Sequence, residues 1–509
     1  MSLIHKHLSK TPNFRNDPIK MNTNGSLKQE VKLNTIGSVI KSVSYEIKFS
    51  ANKGRGAFLL EPVEAGNLVL LEQAAVIGPK QTSPLVCLEC FTKLSTKDLE
   101  YCCSKCGSTL CQSCSNLELR PLHDSECQIF QQAGHRFNPS TEKGARALYN
   151  IVTPLRFLLR AERNPEILFL HDNAESRQDT LIYCFNQVTV ARTLREQLQL
   201  KERFSEAFIH KACGILDTNC YELGWNQLQA RGLFLDIAHI NHDCVPNCFK
   251  FFDENNNMCV MSAQDLQPGD ELTLSYTPPL MSTPLRQVIL QQTKLFVCHC
   301  ARCHDPKELG AKLAALKCSP CGGDVLPENP IDLNSDFRCE SCATIVPSER
   351  GKMMLDTAMK FVGKGSGNTQ VSGDTFDVIQ HLGRFLRPTH NLIVDLKLRF
   401  LNQLLMEVEH DLESRDTAET QEKLAHSLGF GLDLLNMAVI VNPGKSRLRG
   451  IISDLYHKLD KHVINGQDIK CEMEALMSEK DIQAQFKFDR GFHANNGTTL
   501  LSNGTKCLG

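Results

Sequence analysis

Four pairs of metal-type side chains fall within residues 87–127: Cys87 with Cys90, Cys103 with Cys106, Cys111 with Cys114, and His123 with Cys127. Cysteines separated by two residues place two thiolates on one turn, and four-coordinate zinc takes four N or S ligands. Eight ligands are enough for two ions, with Cys102 leaving the register open by one residue. A second group, Cys298, Cys300 and Cys303, supplies three thiolates, so a cysteine elsewhere, His299 or His304 must complete it. A third, Cys318, Cys321, Cys339 and Cys342, is a full four-thiolate set with ribbon-like spacing. In all, 23 of the 509 residues are cysteine. Met1 to Lys20 holds no apolar stretch of the signal-peptide kind, which predicts a reducing compartment where thiols stay free or bind metal. A dithiol oxidoreductase would need a pair beside a βαβ pattern, and none is read here. The composition predicts a soluble intracellular zinc protein.

Three further segments carry groups suited to chemistry. Lys53-Gly54-Arg55-Gly56 reads, alone, as a glycine turn. Asn241-His242-Asp243-Cys244 reads, alone, as a cysteine or metal site. Gly269-Asp270 before alternating Leu272 and Leu274 reads as a turn feeding a half-buried strand that ends near Tyr276.

In this order, followed by Cys298, Cys300 and Cys303, the segments closely resemble the SET domain of protein lysine methyltransferases. Cysteine pairs ending in His123 and Cys127 resemble the MYND zinc finger. A MYND finger inside a SET domain marks the SET-and-MYND (Smyd) family, and the Cys318–Cys342 ribbon resembles its arthropod branch. The resemblance covers roughly residues 42–465. It implies interleaved zinc sites in the finger, pairs one and three on one ion and pairs two and four on the other. It also implies that Cys244 completes the site of Cys298, Cys300 and Cys303, for four zinc ions in all. The implied cofactor is S-adenosyl-L-methionine, contacted by Lys53, Gly54, Arg55, Asn219, Asn241, His242 and Tyr276, with Phe296 stacked on adenine. Glycines at 54 and 56 suit close backbone approach and positive φ.

The implied reaction is in-line methyl transfer to a protein lysine, histone or non-histone, with Tyr276 at the transfer point and a role in transcriptional repression. Free lysine has a pKa of about 10.4, so only on the order of 0.1% is neutral near pH 7.4. A sulfonium and an apolar channel both disfavour the ammonium, and lowering the pKa by about 3 units would make roughly half the amine nucleophilic. Many relatives carry a Tyr two residues before the adenine-stacking aromatic, as a wall of the lysine channel. Lys294 stands there in this chain. Its charge favours a second reading, a zinc-stapled scaffold with weak or no catalysis that recruits partners through its finger and its C-terminal helices.

The elements that must position these groups divide the chain. Residues 1–42 are polar, and Met1 to Gly56 has 10 Lys or Arg against 3 Asp or Glu, which predicts a disordered basic arm. Residues 43–86 read as short strands with Gly/Pro turns, including a buried run from Asn67 to Ile77. The finger takes 87–127. Helical patterning fills 128–210, with Leu155, Leu158 and Leu159 on one face and Pro154 placed in a first turn. Strands return over 211–303, the zinc ribbon takes 304–350, and helices 351–480. There Leu448, Ile451, Ile452, Leu455, Tyr456 and Leu459 form an amphipathic stripe. By resemblance these helices are tetratricopeptide-like. Residues 481–509 read as a disordered tail. The expected class is α+β: a β-rich SET domain split by a finger and a helical insert, then a post-SET zinc site, a ribbon and a helical domain.

A net charge of −2 gives no electrostatic case for nucleic-acid or membrane binding. The finger holds 4 basic and 6 acidic side chains, and zinc thiolates deepen that deficit to about −5, the wrong sign for phosphate. A protein-facing role fits, and the resemblance implies proline-containing peptides or corepressors. No run approaches the ~18 apolar residues of a membrane span. A monomer, cytoplasmic and nuclear, is expected.

Overall fold

A computed structural model describes residues 26–27, 39–50, 52–138, 142–223, 229–364, 375–410 and 417–463. Most of the expected arm and all of the expected tail lie outside them. Strand β1 (Ser26–Leu27) pairs with β3 (Tyr45–Ser50), and β2 (Val39–Ser42) forms inside the range expected as disordered. The arm therefore gives way to structure at least by Val39. Backbone pairing across a sheet, which polar composition does not reveal, holds β2 in place.

The Asn52-Lys-Gly turn returns β3 antiparallel into β4 (Gly54–Leu59). The run expected as one strand from Asn67 is two, β5 (Leu68–Glu72) and β6 (Val76–Pro79). Glu72 explains the break. It is fully buried, and its carboxylate accepts backbone N–H bonds from Leu235, Asp236 and Ile237, which turns the chain out of β5. Strands β7 (Cys220–Glu222) and β8 (Ala230–Leu233) join β6 in the order β6-β8-β7. The two-residue β9 (Asn241–His242) precedes β10 (Cys248–Phe252) and β11 (Met258–Ser262), which extend a sheet β10-β11-β5-β2. Among the described residues strand β12 (Thr273–Leu274) pairs with β9 alone.

The helical insert packs across this β core. Helix Glu142–Arg163 contains Pro154 in its interior, not in its first turn. Leu148, Tyr149, Ile151, Val152, Leu155, Phe157 and Leu158 are all buried along it, and that burial outweighs the hydrogen bond the proline removes. Helix Glu206–Asn219 carries helical structure past the expected boundary at 211, so strands resume only at Cys220.

Downstream, Leu316–Lys317, Asp324–Pro327, Phe337–Cys339 and Ile345–Val346 form β13 to β16, a four-stranded antiparallel ribbon. Among the described residues five helices follow: Ser348–Lys364, Thr375–Leu382, Asn391–His410, Ala418–Val441 and Arg447–Asp460. The last is capped by the Ser446 hydroxyl and buries Leu448, Ile452, Leu455, Tyr456 and Leu459, with Ile451 half-buried. Ala418–Val441 is long and apolar enough to cross a membrane, with a mean hydropathy of 1.6 over 18 residues, contrary to the expectation that no run would be. Half of that window is buried against neighbouring helices, as suits a core helix.

Candidate active site and metal centres

The three segments read together from the sequence meet at one place. Strand β9 runs parallel to β12, with Asn241 opposite Thr273 and His242 opposite Leu274. Strand β4 closes from the other side, where Leu272 N–H donates to the Ala57 carbonyl at 2.8 Å and Leu59 N–H to that of Asp270 at 3.0 Å. Glu271, which sequence reasoning did not single out, ties them. One of its oxygens accepts from Asn241 Nδ2 at 2.9 Å and the other from Lys53 Nζ at 2.8 Å. Gly54 adopts φ +72°, as expected. Gly56 does not have positive φ; a Cβ there would meet Asn241 Nδ2 and Glu271 Oε1, each at 2.8 Å. The glycine is needed for that side-chain approach. The Arg55 guanidinium donates to the Phe169 carbonyl.

Asn241 Nδ2 also donates to the Arg55 carbonyl at 3.1 Å. Both amide protons are thus engaged, and only Oδ1 is left to serve a ligand, as an acceptor. Asn219 is constrained likewise: its Nδ2 donates to the His171 and Ile215 carbonyls, both at 2.8 Å. Phe296 is exposed, 6.0 Å from the His242 ring by centroids.

Tyr276 donates its hydroxyl to the Ile240 carbonyl at 2.7 Å and its N–H to His242 Nδ1 at 3.0 Å. Burial raises the phenol above its ordinary value and keeps it protonated. Burial also pushes His242 down to about 4, so the ring is neutral. Lys294, just past the helix Thr283–Thr293, turns inward. Its Nζ donates to the Thr218 carbonyl at 2.6 Å, at the C-terminal end of Glu206–Asn219, and lies 5.4 Å from the Tyr276 ring centroid. Sequence reasoning missed Tyr221 and Lys250, whose Nζ lies 4.7 Å from the Tyr221 ring centroid. The adjacency of Tyr221 to Asn219 was the available signal.

Among the described residues the metal-type side chains form four sets. Cys87, Cys90, Cys111 and Cys114 make one; Cys103, Cys106, His123 and Cys127 another; Cys244, Cys298, Cys300 and Cys303 a third; Cys318, Cys321, Cys339 and Cys342 a fourth. In every set the ligand atoms lie within 4.8 Å of one another. Sulfur separations of 3.7 Å (Cys90–Cys111), 3.7 Å (Cys103–Cys127), 3.5 Å (Cys244–Cys303) and 3.5 Å (Cys318–Cys342) exclude disulfides in those pairs. They match the edge of about 3.8 Å of a tetrahedron with metal–sulfur bonds near 2.3 Å. Cys103, not Cys102, belongs to the second set.

Buried charge supports two of the sets. His123 Nδ1 meets Glu126 at 3.3 Å, which leaves Nε2 for a metal, and Glu126 is gripped by Arg156. Arg156 also donates to the Ile77 and Leu88 carbonyls, both at 2.8 Å, and so pins the cysteine module to β6. Arg286 points Nε at the Cys244 sulfur, 3.2 Å away, and pairs with Glu308 at 2.8 Å.

A family model described as SET domain matches residues 54–277, the span that holds β4, β9, β12 and Tyr276. The chain is 27% identical over 431 residues to the SET domain-containing protein SmydA-8, isoform A, of Drosophila melanogaster, covering 81% of this chain and 87% of that protein. The chain carries a SET domain and is similar to a Smyd-type protein over most of its length. Two relatives matched over shorter spans carry activity names. This chain is 28% identical over 339 residues to the histone-lysine N-methyltransferase ASHR1 of Arabidopsis thaliana, covering 59% and 64% of the two chains. It is 25% identical over 265 residues to the human histone-lysine N-methyltransferase SMYD3, covering 50% and 60%.

Proposed function

We propose that this Smyd-type protein is an S-adenosylmethionine-dependent protein-lysine N-methyltransferase. The observation that carries the reading is the clamp on Tyr276, held at its hydroxyl by Ile240 and at its N–H by His242. Two of the named relatives are histone-lysine methyltransferases. The cofactor would supply an electrophilic methyl on a sulfonium. The residues present suit it: Asn241 Oδ1 is an acceptor for an ammonium, Gly54 gives close backbone access, and Phe296 is an exposed ring for a base. With its proton committed to Ile240, the Tyr276 oxygen has its lone pairs free to orient the acceptor amine. Burial around Tyr276 excludes water and disfavours a charged acceptor.

Zinc would fill the four ligand sets, and the module of residues 87–127, read as a MYND finger, would bind proline-containing peptides or corepressors. Partner binding and work in both cytoplasm and nucleus belong to the same proposal. A scaffold reading is favoured by one observation, the Lys294 amine lying over the Tyr276 ring. Titration of the zinc-replete protein with S-adenosylmethionine, followed by labelled-methyl transfer onto an extract, separates the two. Binding with transfer supports the enzyme; binding without transfer supports the scaffold; no binding removes the cofactor from the proposal.

A further inference from the structure

Two lysine amines of the chain itself lie over two tyrosine rings beside the Tyr276 clamp. Lys250 Nζ lies 4.7 Å from the Tyr221 ring centroid, and Lys294 Nζ 5.4 Å from that of Tyr276. All four residues are half-buried, so each keeps part of its surface accessible to solvent. The amines come from different elements, β10 and the end of helix Thr283–Thr293. A third cation, Arg447, starts helix Arg447–Asp460 and adds its field at Lys250.

Among the described residues no carboxylate forms an ion pair with Lys250 or Lys294. Asp217 acts on Lys294, but its two oxygens are already bridged by Arg177 at 2.7 Å and Arg231 at 2.9 Å. Lys294 hydrogen-bonds a carbonyl, not a carboxylate. Burial, then Lys294 and Arg447, push Lys250 down to about 8. Two partly desolvated lysines with no carboxylate partner among the described residues are costly, and a bound anion relieves that cost.

We infer that Lys250 and Lys294 form a specificity site for an acidic side chain of the protein substrate, next to its acceptor lysine. This rests on the reading of the Tyr276 clamp as the methyl-transfer point. One pair of charges then has two effects. The field that disfavours an ammonium at Tyr276 helps to deprotonate the acceptor, while the acidic neighbour restores binding that the same field would otherwise oppose. A neutral or basic substrate meets the repulsion without that compensating pair, so the site selects by charge as well as by shape.

The test is selection on the full-length protein from a pooled peptide library with a central lysine and randomised flanks, at low salt. Wild type should enrich Asp and Glu near the lysine, with single acidic peptides binding about fivefold or more tightly than their Gln counterparts, the worth of one partly buried ion pair. Lys250→Met and Lys250→Gln should lose that preference while melting as cooperatively as wild type, and Lys250→Arg should keep it. No acidic enrichment in wild type, or enrichment that survives in both neutral variants, overturns the inference. A parallel library without lysine separates the two readings. Acidic selection there as strong as with lysine supports the anion site and counts against the acceptor reading alone.

Discussion

Tyr276 N–H donates to one nitrogen of the His242 ring at 3.0 Å, while the other ring nitrogen lies 3.2 Å from the Cys244 sulfur. A neutral imidazole that accepts at Nδ1 carries its proton at Nε2 and donates it to the thiolate. One side chain therefore joins a metal-type ligand to the tyrosine of the candidate active site.

Tyr276→Phe keeps the ring and the N–H bond to His242 but removes the hydroxyl held by Ile240. Stability should fall by only about 1 kcal/mol, the worth of one hydrogen bond. Methyl transfer should drop about tenfold or more, with cofactor affinity nearly retained, because only orientation at the transfer point is lost. Unchanged single-turnover rates would take Tyr276 out of the mechanism.

The two glycines of the turn should respond differently to alanine. At Gly54 a Cβ meets nothing within 4 Å, but φ is +72°, so Gly54→Ala adds backbone strain of about 1 kcal/mol. At Gly56 a Cβ would press on Asn241 and Glu271 at 2.8 Å and displace Asn241, a proposed cofactor contact. Calorimetry should show a larger loss of S-adenosylmethionine affinity for Gly56→Ala than for Gly54→Ala. The reverse order would mean that Asn241 does not hold the ligand.

Metal content should be four zinc ions, released in an order set by exposure. Cys321 and Cys342 of the ribbon are exposed, whereas Cys103, Cys106, His123 and Cys127 are all buried. Under a chelator, native mass spectrometry should show the ribbon ion leaving first and the ion of the buried set persisting. Two ions or fewer in the untreated protein would refute the count.

His390 gives an acid-side stability slope. It is buried, and its Nδ1 accepts the Leu392 N–H at 3.2 Å at the start of helix Asn391–His410, so it must stay neutral. Burial pushes it down to about 3 from 6.5. Between these values the unfolded chain binds the proton and the folded one does not, so this contribution is lost as pH falls below about 6.5. By pH 5 the loss is about 2 kcal/mol. Urea melts from pH 7 to pH 5 should show that slope, and His390→Asn should flatten it. Equal slopes in both proteins would assign it elsewhere.

Lys294→Tyr should raise transfer to lysine peptides that lack an acidic neighbour, with cofactor binding unchanged, since it removes a cation from the Tyr276 ring. Like charges at ~4 Å repel by about 4 kcal/mol at an effective dielectric of 20, an upper guide. A variant that binds cofactor and still transfers nothing would favour the scaffold.

The local rules of ligand spacing made the metal sets legible from sequence, but the supports around them were not. Arg156 reaches Glu126 across 30 positions, and Arg286 reaches Cys244 across 42, with no motif to announce either. Tyr276 and Asn241 stood out through the order of their segments, whereas Glu271 looked like an ordinary turn acid. Pro154 misled because helix burial outweighed a local rule, and the break at Glu72 because one buried carboxylate redirected the strand. Lys250 gave no sign at all: a lysine on a strand reads as solvated until the tyrosine across from it is placed.

The contact between Lys53 and Glu271 spans 218 positions of chain. During synthesis the glycine turn leaves the ribosome long before its partners on β12 exist. At roughly 5–20 residues per second, that interval is on the order of 10–45 s. Through that time β4 is an open edge, exposed to any strand that can pair with it. The cysteine module and helical insert emerge within the same interval and pack against β6, so the middle of the domain can be assembled before its catalytic seam closes. Acquisition of activity is thereby placed late in biogenesis, after the inserted parts have folded.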